Sequence, residues 1–121
     1  MTDKTILVVD DSRVSRMMVK SMIGELKPGA KIIEAEDAED ALKLLESHSV
    51  DYFSVDLNMP GMNGLELIEK LKPDNTNSKF ALLTANIQEA THKHCQSLGV
   101  ACINKPITEE SVTQMLEYFY E

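Results

Sequence analysis

Residues 5–11, TILVVDD, decide how the chain is read. Ile6, Leu7, Val8 and Val9 are mostly β-branched and no polar residue alternates with them, so the segment reads as a strand buried on both faces. Such a strand belongs in the middle of a parallel sheet. A buried strand seldom ends in two unpaired charges, which makes Asp10 and Asp11 more than an ordinary solvated turn.

Outward from this strand the same grammar repeats: a short apolar run, then a longer amphipathic stretch, as expected of strands joined by crossover helices. The strands are expected at 5–10, 31–35, 51–56, 79–84 and 101–104, and the helices at 13–26, 38–47, 64–71, 87–98 and 109–120. In the last helix Val112, Met115, Leu116 and Phe119 stand at i, i+3, i+4 and i+7, one apolar stripe. Thr108 is placed to cap it and Asp37 to cap the second helix, with Gly99 as the left-handed residue ending the fourth and Pro73 stopping the third. Five βα units are too few for an eight-unit barrel, so the fold class is α/β with an open, doubly wound five-stranded parallel sheet.

The 121 residues suffice for one core without disulfides, and one domain over 1–121 with no output domain is expected. A net charge of -8 and the lack of a basic run argue against direct binding of nucleic acid or anionic lipid. Cys95 and Cys102 lack the Cys-x-x-Cys spacing of metal and redox motifs, which fits a reducing cytoplasm. The apolar run before Asp10 is too short for a signal peptide or a membrane span.

Open sheets of this kind bind ligands beyond the carboxyl ends of their strands. Those ends carry Asp10 and Asp11, then Asp56, then Thr84, and the fifth strand runs into Lys105 and Pro106. Carboxylates brought together repel one another and need a proton, a cationic side chain or a metal. Lys105 offsets one charge. Oxygen ligands without His or Cys favour magnesium, manganese or calcium, and magnesium leads because it binds phosphates with few protein ligands. A carboxylate nucleophile, a hydroxyl donor and a point charge suit the capture of a phosphoryl group.

The stretches ILVVDDS, VDLNMPGMNG, LLTAN and INKPI, four motifs in order at four strand ends, resemble the receiver domains of two-component response regulators, the single-domain chemotaxis members above all. The resemblance covers essentially the whole chain. It implies a flavodoxin-like (βα)5 fold with strand order 2-1-3-4-5, Asp56 as phosphoacceptor, and magnesium held by Asp10, Asp11, Asp56 and the backbone carbonyl of Asn58. It also implies that Thr84 and Lys105 bind phosphoryl oxygens and that the Lys105–Pro106 bond is cis. Asn86, with Asn58, falls where family members tune access of water to the acyl phosphate. Cys102 departs from the pattern, since many receivers have there an aromatic residue that swings inward on activation. The implied partners are a histidine kinase as phosphodonor and a protein target docking near the fourth helix, fifth strand and fifth helix of a monomer, in chemotaxis or motility signalling.

Other readings compete. The chain is alternatively a phosphoryl sink, a module that binds its partner regardless of phosphorylation, a magnesium-dependent small-molecule phosphatase, or a flavin carrier of the same topology. His92, His94 and Cys95 do not read as a metal site, because i and i+2 point to different sides of a helix. Met17, Met18 and Met22 read as core or its edge, Met59 and Met62 as exposed loop residues beside Asp56, Gly61 and Gly64 as turn residues, and Cys102 as a small core residue.

Overall fold

The computed structural model describes residues 3–85 and 88–121. Strands β1 (Thr5–Val9), β2 (Lys31–Ala35), β3 (Tyr52–Asp56), β4 (Lys79–Thr84) and β5 (Ala101–Asn104) alternate with helices α1 (Arg13–Leu26), α2 (Ala38–Leu45), α3 (Gly64–Leu71), α4 (Glu89–Leu98) and α5 (Glu109–Tyr120). The sheet order is β2-β1-β3-β4-β5 and every pairing is parallel. This is the doubly wound, flavodoxin-like arrangement expected from the sequence.

Alternation along the central strands divides the core in two. Leu7 and Val9 point into a layer with Phe53, Val55, Phe80 and Leu82, covered by Leu67, Ile68 and Leu71 of α3 and Ala41 of α2. Ile6 and Val8 point the other way, toward Val19 and Ile23 of α1 and Val112, Met115, Leu116 and Phe119 of α5. Phe53 stacks on Phe80 at 4.4 Å and Tyr52 on Phe119 at 4.8 Å, one aromatic pair per layer.

Local chemistry sets the helix ends. Asp37 accepts from Asp40 N at 2.8 Å, Thr108 accepts from Ser111 N at 3.1 Å, and Gly99 ends α4 with φ 70°. Helix α3 stops at Leu71, and Pro73 sits in a short 3-10 turn, Lys72–Asp74. Strand β3 starts at Tyr52, one residue later than expected, and just before it the Asp51 carboxylate accepts from Thr5 N at 2.9 Å. Helix α2 ends two residues short of expectation, where His48 Nδ1 approaches Leu44 O at 3.0 Å.

Two expectations fail. Met17 and Met18 are 58% and 40% exposed, not core, because the buried stripe of α1 runs through Val19 and Ile23 with Met22 and Leu26 at its edge. Met59 is buried in the α2–α3 layer, not exposed: Leu57 N still donates to Leu83 O at 2.9 Å, so the chain follows the sheet past β3 and turns Met59 inward. Met62 is half-buried against the same layer. Among the described residues no helix is long and apolar enough to cross a membrane.

Candidate functional site

The carboxyl ends of β1 and β3, adjacent in the sheet, bring Asp10 and Asp56 side by side, both only 3% exposed. Asp11 joins them from the exposed side, and one oxygen from each of the three carboxylates lies within 4.8 Å of the others. Thr84 is fully buried at the end of the next strand, β4. Its carbonyl accepts from Lys105 N at 2.9 Å, which fixes the start of the Lys105 side chain, and Lys105 Nζ ends 2.7 Å from Asp56 Oδ1. Among the described residues no other donor reaches that buried oxygen. The Lys105–Pro106 peptide is cis.

Burial raises the pKa of Asp10; the Ser12 N–H donated to its Oδ1 at 2.9 Å opposes this, Asp56 adds to the rise, Lys105 lowers it and Asp11 raises it. Asp56 is likewise raised, first by burial, with the hydrogen bond and charge of Lys105 pulling down and Asp11 pushing up. Three acids therefore face one cation, and both buried acids hold protons more readily than in water. A divalent cation fits this donor set: all three side chains offer hard oxygens, gathered close enough to share one ion. Magnesium, with its short bonds and its tolerance of retained water, suits a cluster supplied by few protein ligands.

Asn58 stands in the exposed loop two residues past Asp56, Pro106 is exposed, and Cys102 is half-buried on β5 opposite Leu82. Asn86 lies outside the described residues. His94 turns to Glu69 of α3, Nε2 to Oε1 3.1 Å, whereas Cys95 is buried, so the residues around α4 that superficially suggest a metal site are separated.

Two contributors escape a reading of the sequence. Gly64, the first residue of α3, is more than a turn residue: a Cβ there would lie 3.0 Å from Asp56 C and Leu57 Cα, and would collide with Asp56 O. Gly64 N donates to Leu57 O at 2.9 Å, so α3 begins pressed against the backbone of the acid site. The capping box of Asn63 and Glu66 fixes that start, and the pattern Asn-Gly-x-Glu was its only signal. Arg16 is the second. Its Nη1 donates to Asp10 O at 2.6 Å while Nε meets Glu34 Oε1 at 3.3 Å, so α1 and β2 together clamp the backbone from which Asp10 projects.

Residues 6–117 match the family of response regulator receiver domains. The chain is 31% identical over 120 residues to the sensor histidine kinase RcsC of Salmonella typhi, and 31% over the same length to RcsC of Escherichia coli K12; each alignment covers 98% of this chain and 12% of the relative. It thus spans about an eighth of the length of those curated relatives. Over 85 residues it is 35% identical to the nitrate/nitrite response regulator protein NarL of Escherichia coli, covering 70% of this chain and 39% of that one. Chemotaxis protein CheY4 of Vibrio cholerae superposes with a TM-score of 0.87 at 23% identity, covering 98% and 99% of the two chains, a likeness of fold. The signal receiver domain of a DNA-binding response regulator from Colwellia psychrerythraea superposes at 0.83 with 28% identity, covering 95% and 99%.

Proposed function

The chain belongs to the response regulator receiver domain family, and on that premise we propose that Asp56 takes a phosphoryl group from a histidine kinase and that the phosphorylated chain binds a protein partner with altered affinity. Receiver domains act as phosphoacceptor switches, not as turnover enzymes in the usual sense. The observation that carries the reading for this chain is the convergence of Asp10, Asp11 and Asp56 beside Lys105.

Asp10, Asp11 and Asp56, with the Asn58 carbonyl, would hold magnesium, which when bound neutralises charge between the acids and the incoming phosphoryl group. An Asp56 carboxylate oxygen attacks phosphorus, the bond from phosphorus to the donor's imidazole nitrogen breaks, and the electron pair returns to the imidazole. Lys105 Nζ, already 2.7 Å from Asp56 Oδ1, then bonds one phosphoryl oxygen and the Thr84 hydroxyl another. Arg16 and Gly64 act on the backbone, keeping Asp10 and Asp56 aligned. The proposed output surface is α4, β5 and α5 of a cytoplasmic, monomeric chain, with chemotaxis or motility as the proposed setting.

The test is labelling by acetyl phosphate with and without Mg2+, read as a phosphate adduct by intact mass and acid-urea or phosphate-affinity gels. One phosphate per chain is expected on the wild type and none on Asp56→Asn. Undiminished labelling of the variant overturns the assignment. A second reading is favoured by the curated relatives that are sensor histidine kinases, of which this chain matches a short stretch: the chain passes or drains phosphoryl groups without changing affinity for a target. Equal partner affinity with and without beryllofluoride would select it.

A further inference from the structure

We propose that Cys95 and Cys102 form a thiol pair that a hydroperoxide oxidises to an intramolecular disulfide, stapling α4 to β5. Cys95 is buried on the inner face of α4 within the aliphatic layer of the core, and Cys102, half-buried on β5, packs against that same layer. Helix α4 and strand β5 thus present both thiols to one layer, near enough for each to act on the other. The turn between helix and strand is fixed as well: Val100 N donates to Cys95 O at 2.9 Å, and the left-handed Gly99 turns the chain from helix to strand within two residues. A disulfide needs its two Cα atoms near each other and its sulfurs about 2 Å apart, so the proposal requires the two side chains to close on one another across the layer they share.

Exposure assigns the order of events. Cys102 alone of the two reaches solvent, so its sulfur meets peroxide first. That sulfur attacks one peroxide oxygen, the O–O bond breaks, and the leaving oxygen departs with the thiol proton as water or alcohol, leaving a sulfenic acid. Cys95 sulfur then attacks the sulfenic sulfur, the S–O bond breaks, and the hydroxyl leaves as water with the Cys95 proton. Both sulfurs are oxidised by one electron each and the peroxide is reduced by two. Burial first, and then the neighbouring Cys102, push the Cys95 thiol up to about 12, which keeps it a spectator until the second step.

The staple lies on the face where the phosphorylated form is proposed to differ. That link rests on the receiver reading; the thiol chemistry does not. The experiment treats fully reduced protein with hydrogen peroxide and counts thiols by iodoacetamide after denaturation. Trypsin is of no help in locating the bond, because no cleavable basic residue follows Lys93 and both cysteines stay on one peptide. The wild type is expected to lose both alkylatable thiols, to lose the mass of two hydrogens, to stay monomeric, and to regain both thiols on reduction. Cys95→Ala should stop at a sulfenic acid trapped by dimedone, and Cys102→Ala should keep Cys95 as a slow, unreacted thiol. Asp56→Asn should form the disulfide normally, while acetyl phosphate labelling of reduced wild type reports on Asp56 separately. Retention of both thiols in wild type, a sulfinic acid at Cys102, or a disulfide-linked dimer overturns the proposal, and that measurement stands even where a variant fails to fold.

Discussion

Gly64→Ala tests whether the start of α3 is built against the acid site. The added methyl would sit 3.0 Å from two backbone carbons of Asp56 and Leu57 and inside contact distance of Asp56 O. All three atoms are backbone, so no rotamer relieves the clash; the two segments must part by roughly 0.5–1 Å, at an overpacking cost of about 1–3 kcal/mol. Alanine returns about 0.5–1 kcal/mol of that by lowering the entropy of the unfolded chain. A net loss of about 1–2 kcal/mol is expected, read as a lower midpoint in urea with unchanged slope. Because Asp56 moves with its carbonyl, the rate of Mg2+-dependent labelling by acetyl phosphate should fall roughly ten- to hundredfold, the scale on which reacting groups lose alignment over such distances. Gly24→Ala is the control: it lies exposed within α1 with nothing near its Cβ position, and should stabilise by about 0.5–1 kcal/mol without changing labelling. If Gly64→Ala matches Gly24→Ala in both stability and labelling rate, the close approach does not constrain the site.

Asp10→Asn should stabilise the metal-free chain at pH 7 by about 1–3 kcal/mol while abolishing most of the rise in melting temperature that Mg2+ gives the wild type, both read by thermal melts. The pH dependence follows from the raised Asp10 and Asp56. Between the ordinary carboxylate value of 3.8 and their raised values the folded chain binds more protons than the unfolded one, so metal-free stability falls as pH rises through that window. Asp10→Asn should flatten this slope; an unchanged slope would show that Asp10 does not contribute to it. Lys105→Met strips buried Asp56 Oδ1 of its counter-charge and should cost about 1–3 kcal/mol without Mg2+, a deficit that Mg2+ narrows, with slower labelling throughout. Thr108→Ala removes the cap on α5 and should cost about 1 kcal/mol in urea denaturation while labelling stays at the wild-type rate.

Much of this was legible because the chemistry sits where periodicity breaks. Ile6 to Val9 announces a strand buried on both faces, and its abrupt end in Asp10 and Asp11 has no packing explanation. Asp56 and Lys105 are read the same way, at the ends of apolar runs. What stayed hidden depends on tertiary distance. Nothing in Asn63-Gly64 distinguishes a flexible turn from a glycine forced by the carbonyl of Asp56. Helix α1 offers two apolar stripes, one through Val14, Met17 and Met18 and one through Val19, Ile23 and Leu26; the second packs against the sheet and α5 while the first stays exposed. Met59 follows a Pro-Gly-type loop pattern, and its burial depends on the ladder continuing one residue past Asp56.

The same site explains why a stable core carries an unfavourable end. Three carboxylates and one lysine leave an excess of two negative charges when all are ionised, in a place where two of the acids are almost wholly removed from water. Packing alone would have selected apolar residues at these strand ends, as it did one position earlier at Val9 and Val55. A bound dication would cancel that excess and would stabilise the folded chain by mass action. On the proposed reading, a phosphoryl group on Asp56 would replace a single negative charge by nearly two. That charge would fall next to Lys105, which would exchange its contact with Asp56 Oδ1 for one with a phosphoryl oxygen. Lys105 N is tied to Thr84 O, so the backbone that carries that side chain is joined to the end of β4. In the proposed function, the repulsion within the acid cluster and a change at the β4–β5 edge would both follow from one arrangement of charges.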